Sequence, residues 1–158
     1  MFQIYIMRKY IIALLLLTTS ISSFSQTCEE RESKLLESVG GFSAGFLYNT
    51  YGLIGAISDG FTHDAYDALT INDLMDAQKK LADNIVKVLE ELKSGGFLKD
   101  TKDQEFAGSV INILKGLKKQ AQLLEDYVDN KSKQKQDAYE DQRKKNWSAI
   151  SKLMGIDE

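Results

Sequence analysis

His63 is the only histidine in the chain, and it lies among carboxylates: Asp59, Asp64, Asp67 and Asp73. An imidazole beside an aspartate can act as a metal ligand or a general base. The acidic spacing is not that of a calcium loop, which needs alternating oxygen ligands and a closing glutamate. His63 is therefore expected to be a solvated loop residue. Other chemistries are excluded more firmly. A di-iron bundle needs two Glu-x-x-His motifs, covalent c-type haem needs Cys-x-x-Cys-His, and a structural zinc site needs ligands that this chain lacks. No nucleophile elbow, P-loop or dinucleotide glycine fingerprint is present. The 23 acidic residues offer carboxylate pairs, but nothing singles one out. The reading is of a non-catalytic protein, with no catalytic residue, no metal and no cofactor.

The feature most suggestive of function is a helix rich in small residues. From Ser38 to Ser58 there is not one charge. Gly41 and Gly45 are four apart, as are Gly52, Ala56 and Gly60, and small residues at i and i+4 let another helix approach closely. Each glycine inside a helix costs up to about 1 kcal/mol relative to alanine, so several of them require a packing reason. Two are open: tight packing inside the protein's own bundle, or docking onto a partner or a second copy. A membrane contact is a third reading, weakened by Tyr48, Asn49, Thr50 and Tyr51. Six of the eleven aromatics beyond residue 25 lie between 42 and 66. Phe42, Phe46, Tyr48 and Tyr51 are candidates for an aromatic pocket beside the glycine groove, able to take an apolar ligand.

Arg143-Lys144-Lys145 precedes Trp147, a basic-aromatic edge of the kind that meets anionic headgroups. Asp137, Glu140 and Asp141 dilute it, and a solvated helix face is expected there.

These residues need elements to hold them. The first 25 residues have the layout of a secretory signal peptide: Arg8 and Lys9, an apolar run Tyr10–Leu17, and Ser23-Phe24-Ser25 before the cleavage point. Met7 gives a cleaner start than Met1. The mature chain would be an exported domain, residues 26–158, periplasmic or secreted. Loss of Arg8 and Lys9 takes Lys+Arg from 20 to 18 against 23 acids, a net charge near −5. That balance argues against nucleic acid as a partner. Cys28 is the only cysteine, so no disulfide forms within the chain. Its position suits lipidation poorly, because Ser25-Gln26-Thr27 is not a lipoprotein signal.

There is no proline, and period 3.6 dominates. A charged start at Glu29–Glu37 leads into the glycine-rich helix. Asp59-Gly60 then marks a turn, with an irregular connection over 59–70. The next helix, 71–93, has a proposed N-cap at Thr70, and its apolar face is Ile71, Leu74, Leu81, Ile85, Val88 and Leu92, widened by Met75, Ala82 and Leu89. Ser94-Gly95-Gly96 ends it. A third helix spans about 103–129 with Thr101 and Gln104 as its cap. A turn near 129–132 precedes a fourth helix, which ends at Gly155 and carries Glu140/Lys144 and Asp141/Lys145 as favourable i,i+4 pairs. Four segments of similar length predict an all-α protein, an antiparallel up-down-up-down four-helix bundle.

Overall fold

The computed structural model describes residues 27–156; the expected signal peptide and the choice of start lie outside the described residues. The chain divides into two compact units, 1–37 and 38–158. Four helices are present among the described residues: α1 (Cys28–Thr62), α2 (Ala68–Ser94), α3 (Thr101–Asp129) and α4 (Lys133–Met154). They form an all-α, up-down-up-down bundle.

In the first unit, α1 begins with a reciprocal cap. The Thr27 amide donates to the Glu30 carboxylate at 3.0 Å, and the Glu30 amide donates to Thr27 Oγ1 at 3.2 Å. Two donors that the first turn leaves unpaired are thus satisfied.

In the second unit, cross-helix pairs fix the directions. On α2 and α3, Asn72 reaches Asp129, Lys79 reaches Glu125, Lys118 reaches Asp83 and Lys115 reaches Glu90. Rising numbers on one helix meet falling numbers on the other, so these two run antiparallel. Gln120 on α3 meets Asn146 on α4. The ring of Phe61 on α1 packs edge-on against Tyr127 on α3 at 5.9 Å, while Gly40 lies beside Phe106. α1 therefore runs parallel to α3. Leu47 and Ile54 from α1, Ile71 and Met75 from α2, Leu114, Leu117 and Leu124 from α3, and Tyr139 and Ile150 from α4 are essentially sealed from solvent.

Several boundaries differ from the sequence reading. α1 continues past Asp59-Gly60 to Thr62, because the chain turns only after Asp64 takes a left-handed φ of 56°. Gly60 sits where a Cβ would come within 2.5 Å of the Tyr66 ring, so its role is this close approach at the turn. α2 starts three residues earlier than expected, capped by Asp67, whose carboxylate accepts from the Thr70 amide at 2.8 Å. That hydrogen bond lowers the Asp67 pKa. α3 is capped by Asp100, not Thr101; Gln104 instead donates to the Leu98 carbonyl at 2.8 Å. The turn before α4 and the left-handed Gly155 at its end follow the expectation.

The seam of α2 is rotated from the expected one. Ile71, Met75, Ala82, Val86 and Leu89 are buried, whereas Leu81 and Val88 are exposed. Two adjacent stripes of α2 both carry the heptad pattern, and the stripe nearer α3 takes the core. On α4, Arg143 pairs with Glu140 at 3.5 Å, an i,i+3 contact in place of the expected i,i+4 pairing of Glu140 with Lys144.

The α3–α4 seam is unusually polar. Gln142 donates to Asn146 at 2.9 Å, and Asn146 donates to Gln120 at 2.8 Å, both Asn146 and Gln120 being buried. The pair is accommodated by Gly116, where a Cβ would collide with the Asn146 side-chain oxygen. Gly116→Ala is therefore expected to destabilise the fold by about 1–3 kcal/mol, through loss of buried hydrogen bonds, despite alanine's better helix propensity. Chemical denaturation checks this.

Candidate interaction face

The charge-free stretch of α1 has two faces. Leu47, Thr50, Ile54, Ile57, Ser58 and Phe61 point into the bundle and are buried. The opposite side carries Gly41, Gly45, Gly52 and Ala56. A Cβ built on Gly41, Gly45 or Gly52 meets nothing within 4 Å, and Gly41, Gly52 and Ala56 are exposed. Among the described residues, no side chain or neighbouring helix packs onto Gly41, Gly45 or Gly52. Gly60, the fifth residue of the proposed groove, belongs to the turn against Tyr66.

The stripe lies between two ridges. On the α4 side, Tyr48 and Tyr51 stack against Trp147 at ring-centroid distances of 6.2 and 5.5 Å. Arg143 stands beside Tyr51; burial lowers the Arg143 pKa, but hydrogen bonding to Tyr51 and the charge of Glu140 outweigh it, and the net shift is upward. The other ridge is apolar. Phe42 is 80% exposed and Leu53 43% exposed on α1.

α2 carries an apolar edge of its own. Its α3-facing edge is fixed by Asn72, Lys79, Asp83 and Glu90. Leu74, Leu81 and Val88 recur every seven residues along its other edge, the one next to α1 in an up-down bundle. Val88 is 55% exposed and Leu81 41%. The contrast between the two rims is sharp. The α2–α3 rim is built from charge pairs, whereas the opposite edge of α2 presents large apolar side chains.

The expected aromatic pocket is not assembled. Tyr48 and Tyr51 lie together, but their third ring is Trp147 from α4, and Phe42 projects from the opposite ridge. Positions 42 and 51 are nine residues apart, which on a helix places them on opposite flanks. Trp147 as a partner of the two tyrosines was not legible, since nothing in the sequence gives the α1–α4 register.

The other candidates resolve simply. The His63 ring Nδ1 lies 2.8 Å from the Asp59 carbonyl oxygen and is exposed. Among the described residues no group of His, Cys, Asp and Glu is arranged to hold a metal, and no helix is long and apolar enough to cross a membrane. Cys28 is exposed with a free thiol. An open depression of about 530 Å³ between α2 and α3 is lined by Glu90, Lys93, Ser94, Gly108, Ile111 and Asn112; it gathers no convergent set of reactive groups.

Among the described residues, four buried side-chain atoms make no hydrogen bond: Asn72 Oδ1, Gln120 Nε2, the Tyr139 hydroxyl and Ser151 Oγ. The Tyr139 hydroxyl lies near Ser58 and Gln120 but makes no hydrogen bond, and burial raises its pKa. Tyr139→Phe is expected to leave stability unchanged or raise it by about 1 kcal/mol, since an unpaired buried hydroxyl is removed. A loss above 1 kcal/mol on denaturation would show that the hydroxyl is satisfied.

The chain matches no family model, no curated protein and no solved structure.

Proposed function

We propose that this is an exported, non-catalytic binding or assembly protein of the cell envelope or its surroundings, and that it docks through the outer face of α1. One observation carries the reading: Gly41, Gly45 and Gly52 stand mid-helix with open space where their side chains would be. Together they cost about 3 kcal/mol relative to alanine, and no contact among the described residues offsets that. A solvated helix face would also carry charge, yet none occurs from residue 38 to 58. Both features fit a surface that another helix covers. Export rests on the signal-like residues 1–25, and the absence of any reactive constellation argues for binding over catalysis.

The test is Gly45→Leu with Gly52→Leu in the full chain, produced in its own cells. The expected result is a folded protein with wild-type helix content whose native-size assembly is lost, because two leucines fill the trough without touching the core. An assembly that survives intact would overturn the reading.

A further inference from the structure

We propose that α4 is a hinged element that swings off the bundle as one cooperative piece while α2 and α3 stay docked together. The inference goes beyond the docking reading above and does not rest on it. The two seams of α3 are unequal. On the α2 side it is tied by Lys79–Glu125, Lys115–Glu90, Lys118–Asp83 and Asn72–Asp129. Among the described residues α2 brings five buried apolar side chains to the core and α3 brings nine, whereas α4 brings only Tyr139 and Ile150. Those two anchors stand about 16 Å apart along the helix.

Between the anchors the seam is polar. Asn146 donates to Gln120 across it, and both are buried. The other partner of Asn146, Gln142, lies on α4 itself, so that hydrogen bond survives undocking. The printed ion pairs of α4, Lys133–Asp137 and Arg143–Glu140, are likewise internal to the helix. The remaining tie, to α1, is the cluster of Tyr48, Tyr51, Trp147 and Arg143, and solvent already reaches all four. Opening therefore gives up little apolar burial, and water replaces the Asn146–Gln120 hydrogen bond at small net cost. Gln120 Nε2, the Tyr139 hydroxyl and Ser151 Oγ, three of the four unbonded buried atoms, lie on α3 or α4. Opening returns them to water, which offsets part of the burial that is lost.

The connection suits a hinge. Residues 130–132 join α3 to α4, and Asn130 is extended. The Asn130 amide donates to the Asp126 carbonyl and closes α3. The Ser132 hydroxyl accepts from the Lys135 amide and starts α4, and the left-handed Gly155 closes its far end through the Lys152 carbonyl. Each cap is internal to its own helix, so α4 can rotate about 130–132 without opening either helix end. An element with few buried apolar contacts and a polar seam is where a protein opens below its global unfolding free energy.

The test is native-state hydrogen exchange of the full chain, read residue by residue by NMR at rising sub-denaturing urea. Amides from Glu140 to Ile150 should share one opening free energy, lower than that of the central amides of α2 and α3. Their urea slope should be shallower, because less surface is exposed. Lys79→Ala weakens the α2–α3 seam alone. It should speed exchange in α2 and α3 about a hundredfold and leave α4 unchanged. If that variant does not fold, the wild-type energies and slopes carry the test. Amides of α4 that match α3 in energy and slope, or that accelerate with it in Lys79→Ala, would show that the helices open only together. Energies that climb steadily from the ends of α4 inward would show fraying in place of a hinged piece. Either result overturns the proposal.

Discussion

Replacing Gly41, Gly45 and Gly52 together by alanine is expected to raise the unfolding free energy of the isolated chain by about 2–3 kcal/mol. The reason is local. Each glycine lies inside α1, where alanine is favoured by about 0.8–1.0 kcal/mol, and each has open space for the added methyl. For a domain of this size the gain corresponds to a rise in Tm of roughly 10 °C. Thermal and urea denaturation of the monomeric protein at low concentration would read it. A loss of stability would mean the methyls meet something in the folded chain. The opposite sign is expected at Gly116, whose open space is already filled by Asn146. The two outcomes together separate glycines kept for the fold from glycines kept for a partner.

Lys79→Ala is expected to cost about 3 kcal/mol. Lys79 Nζ lies 2.5 Å from Glu125 and 2.9 Å from Asp76, with the Lys79 and Glu125 side chains only 16% and 9% exposed. Removing the lysine leaves the Glu125 carboxylate in the α2–α3 seam without its partner, which is the expensive way to break a buried pair. The double variant Lys79→Met/Glu125→Leu should recover most of the loss, since an apolar pair of similar volume replaces both charges. Desolvation acts to lower the Lys79 pKa, but the hydrogen bonds to Glu125 and Asp76 outweigh it and the net shift is upward. The linkage sign follows. The pair's contribution is fully present below the ordinary lysine value of 10.5 and is lost as pH rises beyond it through the folded value. A urea midpoint that falls between about pH 10 and 12 in the wild type but not in the double variant would identify the pair as the cause.

The helices themselves were legible in the sequence because their signals are local. Proline is absent, the Gly95-Gly96 and Gly155 stops fall where the chain leaves the helix, and the 3.6 period continues between them. The caps were less so. Thr70 and Thr101 competed with nearby aspartates, and the carboxylates of Asp67 and Asp100 won as acceptors for unpaired helix amides. The choice of seam on α2 was not local at all. Leu81 and Val88 are as apolar as Val86 and Leu89, and only the charge pairs of α2 with α3 decide which stripe turns inward.

The candidate face was half legible. Its small-residue spacing and lack of charge were in the sequence, but which way it points depends on the register of α1 against α3 and α4. The Phe61–Tyr127 and Tyr51–Trp147 contacts set that register. They turn Leu47 and Ile54 inward and leave the glycines facing out. The aromatic grouping failed for the same reason, because closeness in sequence placed Phe42 and Tyr51 on opposite flanks of one helix.

The central claim is that the outer face of α1 is covered in the assembled protein. Site-specific photocrosslinking in living cells tests it most directly, with a benzophenone side chain placed in turn at Gly45, at Gly52 and at the exposed Lys119 of α3. Discrete adducts are expected from positions 45 and 52, and none from 119. Equal yields at all three positions, or no adduct from the two glycine sites, would contradict it.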